Sequence, residues 1–499
     1  MGRAVKTGLK SDMKFTIQSA EFSVLPMRTR FPFRYGIASL SSLPHVFLTL
    51  KMVVGGQTIT GISSEGLAPK WFTKDPDSPM ESDLAEMLAV IQNASRIGKN
   101  AAAIPTPFFS FWRDLYDEQR RWATTLNVPP LLANLGVSLI ERAVLHGLCR
   151  AADRPLHQLI RTPDLGIDLG SVRRALKGLS LDEVLPPTPL QAIHLRHTIG
   201  LSDPLCTLDI PDSEVLNDGL PHSLEVSILA YGLLYFKIKL SGSLENDKPR
   251  LRILSELLTR LCPSGFQVTM DGNEQFLDLA AFQGYYRELS TDPTLAPLFD
   301  SLILVEQPLH RSVALDESAI GDVLHQWKDR PPLIIDESDG SLDDLPRALA
   351  LGYSGTSHKN CKGIVKSLAN AGLLFKHRAQ NPELSFHLSG EDLAGVGPVA
   401  MLQDLAMASL LGITHVERNG HHYFRGLTMH SEALQFQVLH SHPDLYQPSN
   451  RGFPSLRIEN GCVTLHSVNQ SPFGFSPDIP LDTFELLNAW IKRGGMGEL

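Results

Sequence analysis

The chain has 499 residues, of which 43% are apolar and 20% charged, with a formal net charge of −9. That length exceeds one average domain and suits a large domain joined to a smaller one, with enough apolar residues to bury a sizeable core. Acidic and basic residues are mixed along the chain, so neither a nucleic-acid-binding stripe nor an acidic disordered tail is indicated.

Residues 1–14 are polar and basic without an apolar centre, which does not fit a secretory signal. From 14 to 65 the pattern is strand-like. Phe15, Ile17 and Ser19 alternate with Thr16, Gln18 and Ala20, and 46–54 is apolar and β-branched. Gly55-Gly56 then turns the chain into 58–62, a hairpin signal. Residues 28–36, basic, aromatic and interrupted by Pro32, read as a loop. Helical periodicity follows over 83–91 and 132–148, where Val137, Ile140, Val144 and Leu148 share one face. No apolar run approaches the roughly 18 residues of a membrane helix. Residues 160–190 have weak periodicity and read as a connecting insertion.

From about 190 the character changes. Short apolar runs at 192–195, 233–240, 266–270, 301–305, 332–335, 355–359, 384–388 and 412–416 are each followed by a helix-like stretch. This alternation predicts parallel βαβ units, and eight of them match a closed (β/α)8-type barrel better than an open doubly wound sheet. Beyond them, 456–465 carries Asn460-Gly461, a further hairpin signal expected to pack with the N-terminal strands.

Barrel active sites lie at the C-terminal ends of the strands. Those ends read Lys237-Ile238-Lys239, Asp271-Gly272-Asn273, Glu306-Gln307-Pro308, Asp336-Glu337-Ser338 and Lys359. Side chains alternate along a strand, so Lys237 and Lys239 share a face, as do Asp271 and Asn273. Acids from three consecutive strands can converge on one point, where they are costly unless a cation offsets them. With no His or Cys among them, they suit a hard ion, Mg²⁺ first and Mn²⁺ second. Lys237 and Lys239 on the second strand and Lys359 on the sixth would flank that ion. The matching chemistry is removal of a proton beside a substrate carboxylate. A divalent ion stabilises the enediolate, and an amine serves as base once nearby positive charge lowers its pKa.

The ordered set KxK, DxN, EQP, DES and K resembles the enolase superfamily, and within it the muconate lactonizing enzyme-like subgroup of the mandelate racemase/muconate lactonizing enzyme family, over nearly the whole chain. The resemblance implies an α/β fold, a modified TIM barrel (β/α)7β, over 191–430. It adds an N-terminal α+β capping domain over 1–155 and a C-terminal segment over 431–499 that packs back on the cap, whereas the connecting insertion at 156–190 is unusual for the family. It also implies that Asp271, Glu306 and Asp336 bind Mg²⁺, that Lys239 and Lys359 are the acid/base pair, and that Lys237 supports the oxyanion. The reactions it implies are racemisation or epimerisation, cycloisomerisation, or syn-dehydration, as in o-succinylbenzoate synthase or dipeptide epimerase. Homo-oligomers are common in the family. Two local features also depart from its pattern: His146 stands where the family commonly has Asp, and Lys359-Asn360-Cys361-Lys362-Gly363 is one glycine short.

Other signals carry two readings each. Arg28, Arg30 and Arg34, with Trp71 in a second loop, could grip a distal substrate carboxylate or serve interdomain packing. Asn273, Glu391 and Asp392 could contact substrate, and the last two could equally be solvated loop acids. Gly395-Val396-Gly397-Pro398-Val399-Ala400, with Glu417 twenty residues past Gly397, imitates a dinucleotide fingerprint, but it comes late in the chain with one strand after it, so a substrate-facing loop or plain turn chemistry is preferred. His421-His422 is read as hydrogen bonding at the barrel mouth rather than a metal motif. Two other functions stay open: a Schiff-base aldolase using Lys239 or Lys359, which leaves the three acids unexplained, and an inactive barrel with a binding role. The expected partner is a small carboxylate, with neither nucleic acid nor membrane. The five scattered cysteines form no CxxC pair and point to a reducing, cytoplasmic interior.

Overall fold

The computed structural model describes residues 13–35 and 38–497. Residues 1–12, part of the segment read against a secretory signal, and Gly36 lie outside them. Strands β1 (Lys14–Tyr35), β2 (Ala38–Val54) and β3 (Gln57–Gly66) form an antiparallel meander. Gly55 and Gly56 turn between β2 and β3 with φ of 56° and 81°, a left-handed pair that suits glycine. The stretch expected as a loop at 28–36 is strand over its described part. β1 continues through Arg28, Arg30 and Phe33, with a register shift between Arg28 and Phe33. A bulge of this kind accommodates Pro32, which cannot donate to a ladder.

Helices α1 (Met80–Ala101), α2 (Phe108–Thr125) and α3 (Pro130–Ala152) pack on that sheet. α3 is long and apolar enough to cross a membrane by length and composition, yet its most apolar window is wholly buried inside the protein. Its buried residues extend beyond the single face read from sequence, because it lies between the cap sheet and the barrel. Gly61 lets β3 press against it, since a Cβ there would collide with the Ala143 carbonyl. On its other side, Glu141 accepts from the amides of Ile364 and Val365, both at 2.8 Å, at the start of α4 (Ile364–Gln380).

The barrel strands are β4 (Ala192–Ile199), β5 (Tyr235–Lys239), β6 (Gln267–Asp271), β7 (Leu302–Glu306), β8 (Leu333–Ile335), β9 (Gly355–His358), β10 (His387–Gly390) and β11 (His415–Arg418). They pair in chain order and all in parallel, and β11 closes on β4 through His415 to Arg418 against His194 to His197. The eight apolar runs mark these eight strands. Side chains alternate along these strands, so the lysines and acids turn inward while Phe236, Val268 and Leu333 face the surrounding helices, where all three are buried.

The segment at 156–190 is a series of short helical turns bound to the barrel. Leu169, Leu176 and Leu179 close over Gly372 on α4, and Arg173 donates to the Leu342 carbonyl and to Asn370. The C-terminal part departs from expectation at one point. Asn460 and Gly461 do turn with positive φ, but the strand that follows, β12 (Cys462–Thr464), joins β4 of the barrel, antiparallel. It is β13 (Glu485–Leu486) that adds to the cap sheet, beside Ser23 and Val24 of β1. The five cysteines are all free.

Candidate active site

A chamber of about 620 Å³ opens where the cap meets the C-terminal ends of the barrel strands. Lys237, Lys239, Asn273, Asp336, Glu337, Lys359, Asp392, Glu417 and Asn419 line it from the barrel, and Phe33 and Trp71 from the cap. The strand-end rule explains the convergence. Each polar residue sits where a strand leaves the apolar layer, and the barrel's curvature turns those ends inward.

Lys237 is the centre of the cluster and is 1% exposed on its side chain. Its Nζ lies 3.0 Å from Asp271, 2.7 Å from Glu306, 2.9 Å from Glu391 and 2.8 Å from Glu417. Lys239 donates to Asp271 Oδ2 at 2.6 Å. Lys359 donates to Asp336 Oδ2 at 2.6 Å and to Glu391 Oε2 at 2.9 Å, with its ammonium 4.9 Å from the Trp71 ring centroid. β5 and β9 are the second and sixth of eight strands, so Lys239 and Lys359 approach the cluster from opposite sides of the barrel.

The carboxylates are arranged differently from the set expected in sequence. Glu306, Asp336 and Glu391 each offer an oxygen within 4.8 Å of the others. Asp271 instead turns its Oδ2 towards both Lys237 and Lys239. Burial and the adjacent Glu391 push the Glu306 carboxyl well above its usual pKa. Burial would raise Glu391 too, but Lys237 and Lys359 hold it well below the usual range. Both Glu306 oxygens are buried without a well-formed hydrogen bond, although Lys237 is close to one of them. An under-satisfied carboxylate beside two other carboxylate oxygens, with neither thiolate nor imidazole in the set, fits a hard divalent cation.

The lysines also differ from expectation. Burial alone would lower them, but the surrounding acids prevail and hold Lys237 and Lys359 well above the usual amine value, with Lys239 raised as well. The expected lowering by a neighbouring ammonium is present, from Lys237 on both Lys239 and Lys359, but the acids outweigh it.

The other sequence candidates are placed as follows. Trp71 and Asn273 line the chamber, and so does Asp392, which is paired with Arg418 at 2.9 Å. Glu391 is buried in the cluster and is also bound by Arg196 of β4 at 3.0 Å. Arg30 is held by Asp218 and by the carbonyls of Leu220, Pro221 and His422, and with Arg34 it lines an outer groove rather than the chamber. Arg28 is exposed and is not among the chamber residues. Gly395 to Gly397 line a separate cavity beside His421 and Tyr446. His421 contacts His197 at 3.0 Å within the barrel wall.

Sequence reasoning left the central acid Glu391 with two readings and missed Glu417, Arg196, Lys362 and Asn419. Glu391 and Glu417 obey the same strand-end rule as the others, at the ends of β10 and β11. Lys362 lies three residues past Lys359, and its ammonium donates to Asp336 Oδ1 at 2.8 Å.

No protein-family model and no curated protein matches the sequence. Solved structures do. A muconate lactonizing enzyme from Pseudomonas fluorescens, complexed with muconolactone, aligns with TM-score 0.57 at 15% identity, covering 93% of this chain and 97% of that one. A mandelate racemase/muconate lactonizing protein from Herpetosiphon aurantiacus aligns with TM-score 0.54 at 16% identity, over 93% and 99%. An enolase from Bradyrhizobium, complexed with magnesium and mandelic acid, gives TM-score 0.54 at 15% identity, over 90% and 93%. The fold of this chain, a closed parallel barrel under an α+β cap, is the fold of these proteins.

Proposed function

We propose that this protein is an enzyme of the enolase-superfamily type that removes the proton next to the carboxylate of a small organic acid, and then racemises, epimerises, cycloisomerises or dehydrates it. One observation carries the reading: Lys239 and Lys359 reach a single buried carboxylate cluster from opposite sides of one enclosed chamber. A substrate carbon held between them meets an amine on each face. One amine takes the proton, and the other can return a proton to the opposite face or hold the substrate in place.

Glu306, Asp336 and Glu391, with Asp271 adjacent, would hold a divalent cation, Mg²⁺ or Mn²⁺. When bound, it would offset the negative charge that builds on the substrate carboxylate and loosen the acids' grip on the lysines. Lys237, fixed among four acids, keeps those acids together and presents positive charge to the same region. Trp71 covers Lys359, which is 3% exposed, and so keeps bulk water from that amine.

The test is a panel of N-acylamino acids, dipeptides and acid sugars incubated with the protein and Mg²⁺ in D2O and followed by NMR. The reading expects deuterium at the α-carbon of at least one member, and loss of that signal when EDTA is added. A panel in which no member exchanges, with a folded and metal-loaded protein, would remove it.

A further inference from the structure

Asn419 follows β11 and is 4% exposed. Its Nδ2 donates to Glu417 Oε1 at 3.2 Å and lies 3.4 Å from Asp392 Oδ1. Two carboxyl groups on that side fix the amide's orientation, because the reverse rotamer would set its oxygen against acceptors. The amide oxygen is left buried with no donor among the described residues. Asn419 lines the same chamber as Lys239 and Lys359. A buried acceptor without a donor costs free energy unless something else supplies one.

The chamber also has an apolar part to its lining. Phe33 and Trp71 from the cap, with Leu393 and Ala394 from the loop after β10, are each at most 8% exposed. The charged groups near Asn419 are already engaged: Glu417 by Lys237 and Asp392 by Arg418. Neither offers a free carboxylate to a substrate ammonium.

Resting on the reading above, we propose that Asn419 is a specificity-determining residue, and that the substrate is a carboxylic acid carrying a neutral hydrogen-bond donor, an amide N–H or a hydroxyl, beside the reacting carbon, with an apolar remainder. The donor meets Asn419 Oδ1 while the apolar part lies against Phe33, Trp71 and Leu393. A site built to hydrogen-bond such a group discriminates strongly against an analogue lacking it, because the buried acceptor is then left unpaired.

The test uses four acids: N-acetylphenylalanine and mandelate, which carry N–H and O–H donors, and N-acetyl-N-methylphenylalanine and 2-phenylpropionate, which carry none. Exchange of the α-proton in D2O with Mg²⁺ is measured for the wild type and for Asn419→Leu. The wild type is expected to exchange one or both donor acids with kcat/KM about 100-fold above the matched donorless acid, and Asn419→Leu to bring that ratio to within about threefold. Whichever donor acid shows the ratio identifies the donor. A wild-type ratio near one, or a ratio that survives in Asn419→Leu, overturns the proposal, and the wild-type comparison stands alone if the variant does not fold. Calorimetric binding of the same acids to the Lys239→Ala protein separates this claim from the reaction class. Donor preference in binding without any exchange keeps the subsite and removes the reaction, whereas equal binding, or none, removes the subsite.

Discussion

Lys362 and Asp336 form a buried ion pair at 2.8 Å, and Lys359 occupies the other oxygen of the same carboxylate at 2.6 Å. Asp336 is thereby held by two ammonium groups, which keeps it ionised far below the usual carboxylate range despite its burial.

Removing one partner of a buried pair is expected to cost more than removing both. Lys362→Met should destabilise the fold by about 3–5 kcal/mol, since it strips one of two cations from a buried carboxylate. Combining it with Asp336→Asn should restore part of that loss. Urea unfolding of the two single variants and the double variant measures the coupling directly, and simple additivity would show that the two residues do not act as a pair.

Glu141 joins the cap to the barrel by accepting from the first two amides of α4. Burial lifts its carboxyl to about 7. Glu141→Gln can satisfy one of those amides, and Glu141→Leu neither. The glutamine variant is expected to lose about 1 kcal/mol and the leucine variant about 2–3 kcal/mol in denaturant unfolding.

His146 gives a pH dependence of definite sign. Burial, with Arg150 nearby, lowers it to about 3, and its Nδ1 accepts from the Ile62 amide at 3.0 Å. Between the ordinary histidine value near 6.5 and that lowered value, the unfolded chain takes up a proton that the folded chain refuses. Its share of stability is therefore complete above pH 6.5 and falls as the pH drops through that window. Other buried groups titrate there too, so the useful comparison is with His146→Gln. The difference in slope between wild type and variant should approach about 1.4 kcal/mol per pH unit below pH 6. Parallel stability curves would show that His146 is protonated in the folded protein.

The barrel was legible in the sequence because its strands lie in the interior and read as short apolar runs, most of them ended by a charged residue. Lys237, Lys239, Asp271, Glu306, Asp336 and Lys359 follow from that rule alone. Glu391 was harder to place because β10, His387–Gly390, is short and carries only one large apolar residue, Leu388. Arg196 directly follows the apolar run at 192–195, but the strand continues to Ile199, so it sits mid-strand below the mouth, where it meets Glu391. The role of Asp271 depended on side-chain direction. Sequence spacing brings it to the right strand end, but only the packed barrel shows it turned towards two lysines. The extension of β1 was obscured by Pro32 and its basic neighbours, whose pairing rests on a bulge rather than on regular alternation.

The account depends most on Lys239 and Lys359 as the groups that move the proton. With any carboxylate that exchanges its α-proton, deuterium incorporation should be compared for wild type, Lys239→Ala and Lys359→Ala, with Mg²⁺ binding checked by calorimetry in all three. Loss of exchange by about 10²–10⁴-fold in at least one lysine variant, with metal affinity kept, is the predicted result. Exchange at the wild-type rate in both variants would contradict it.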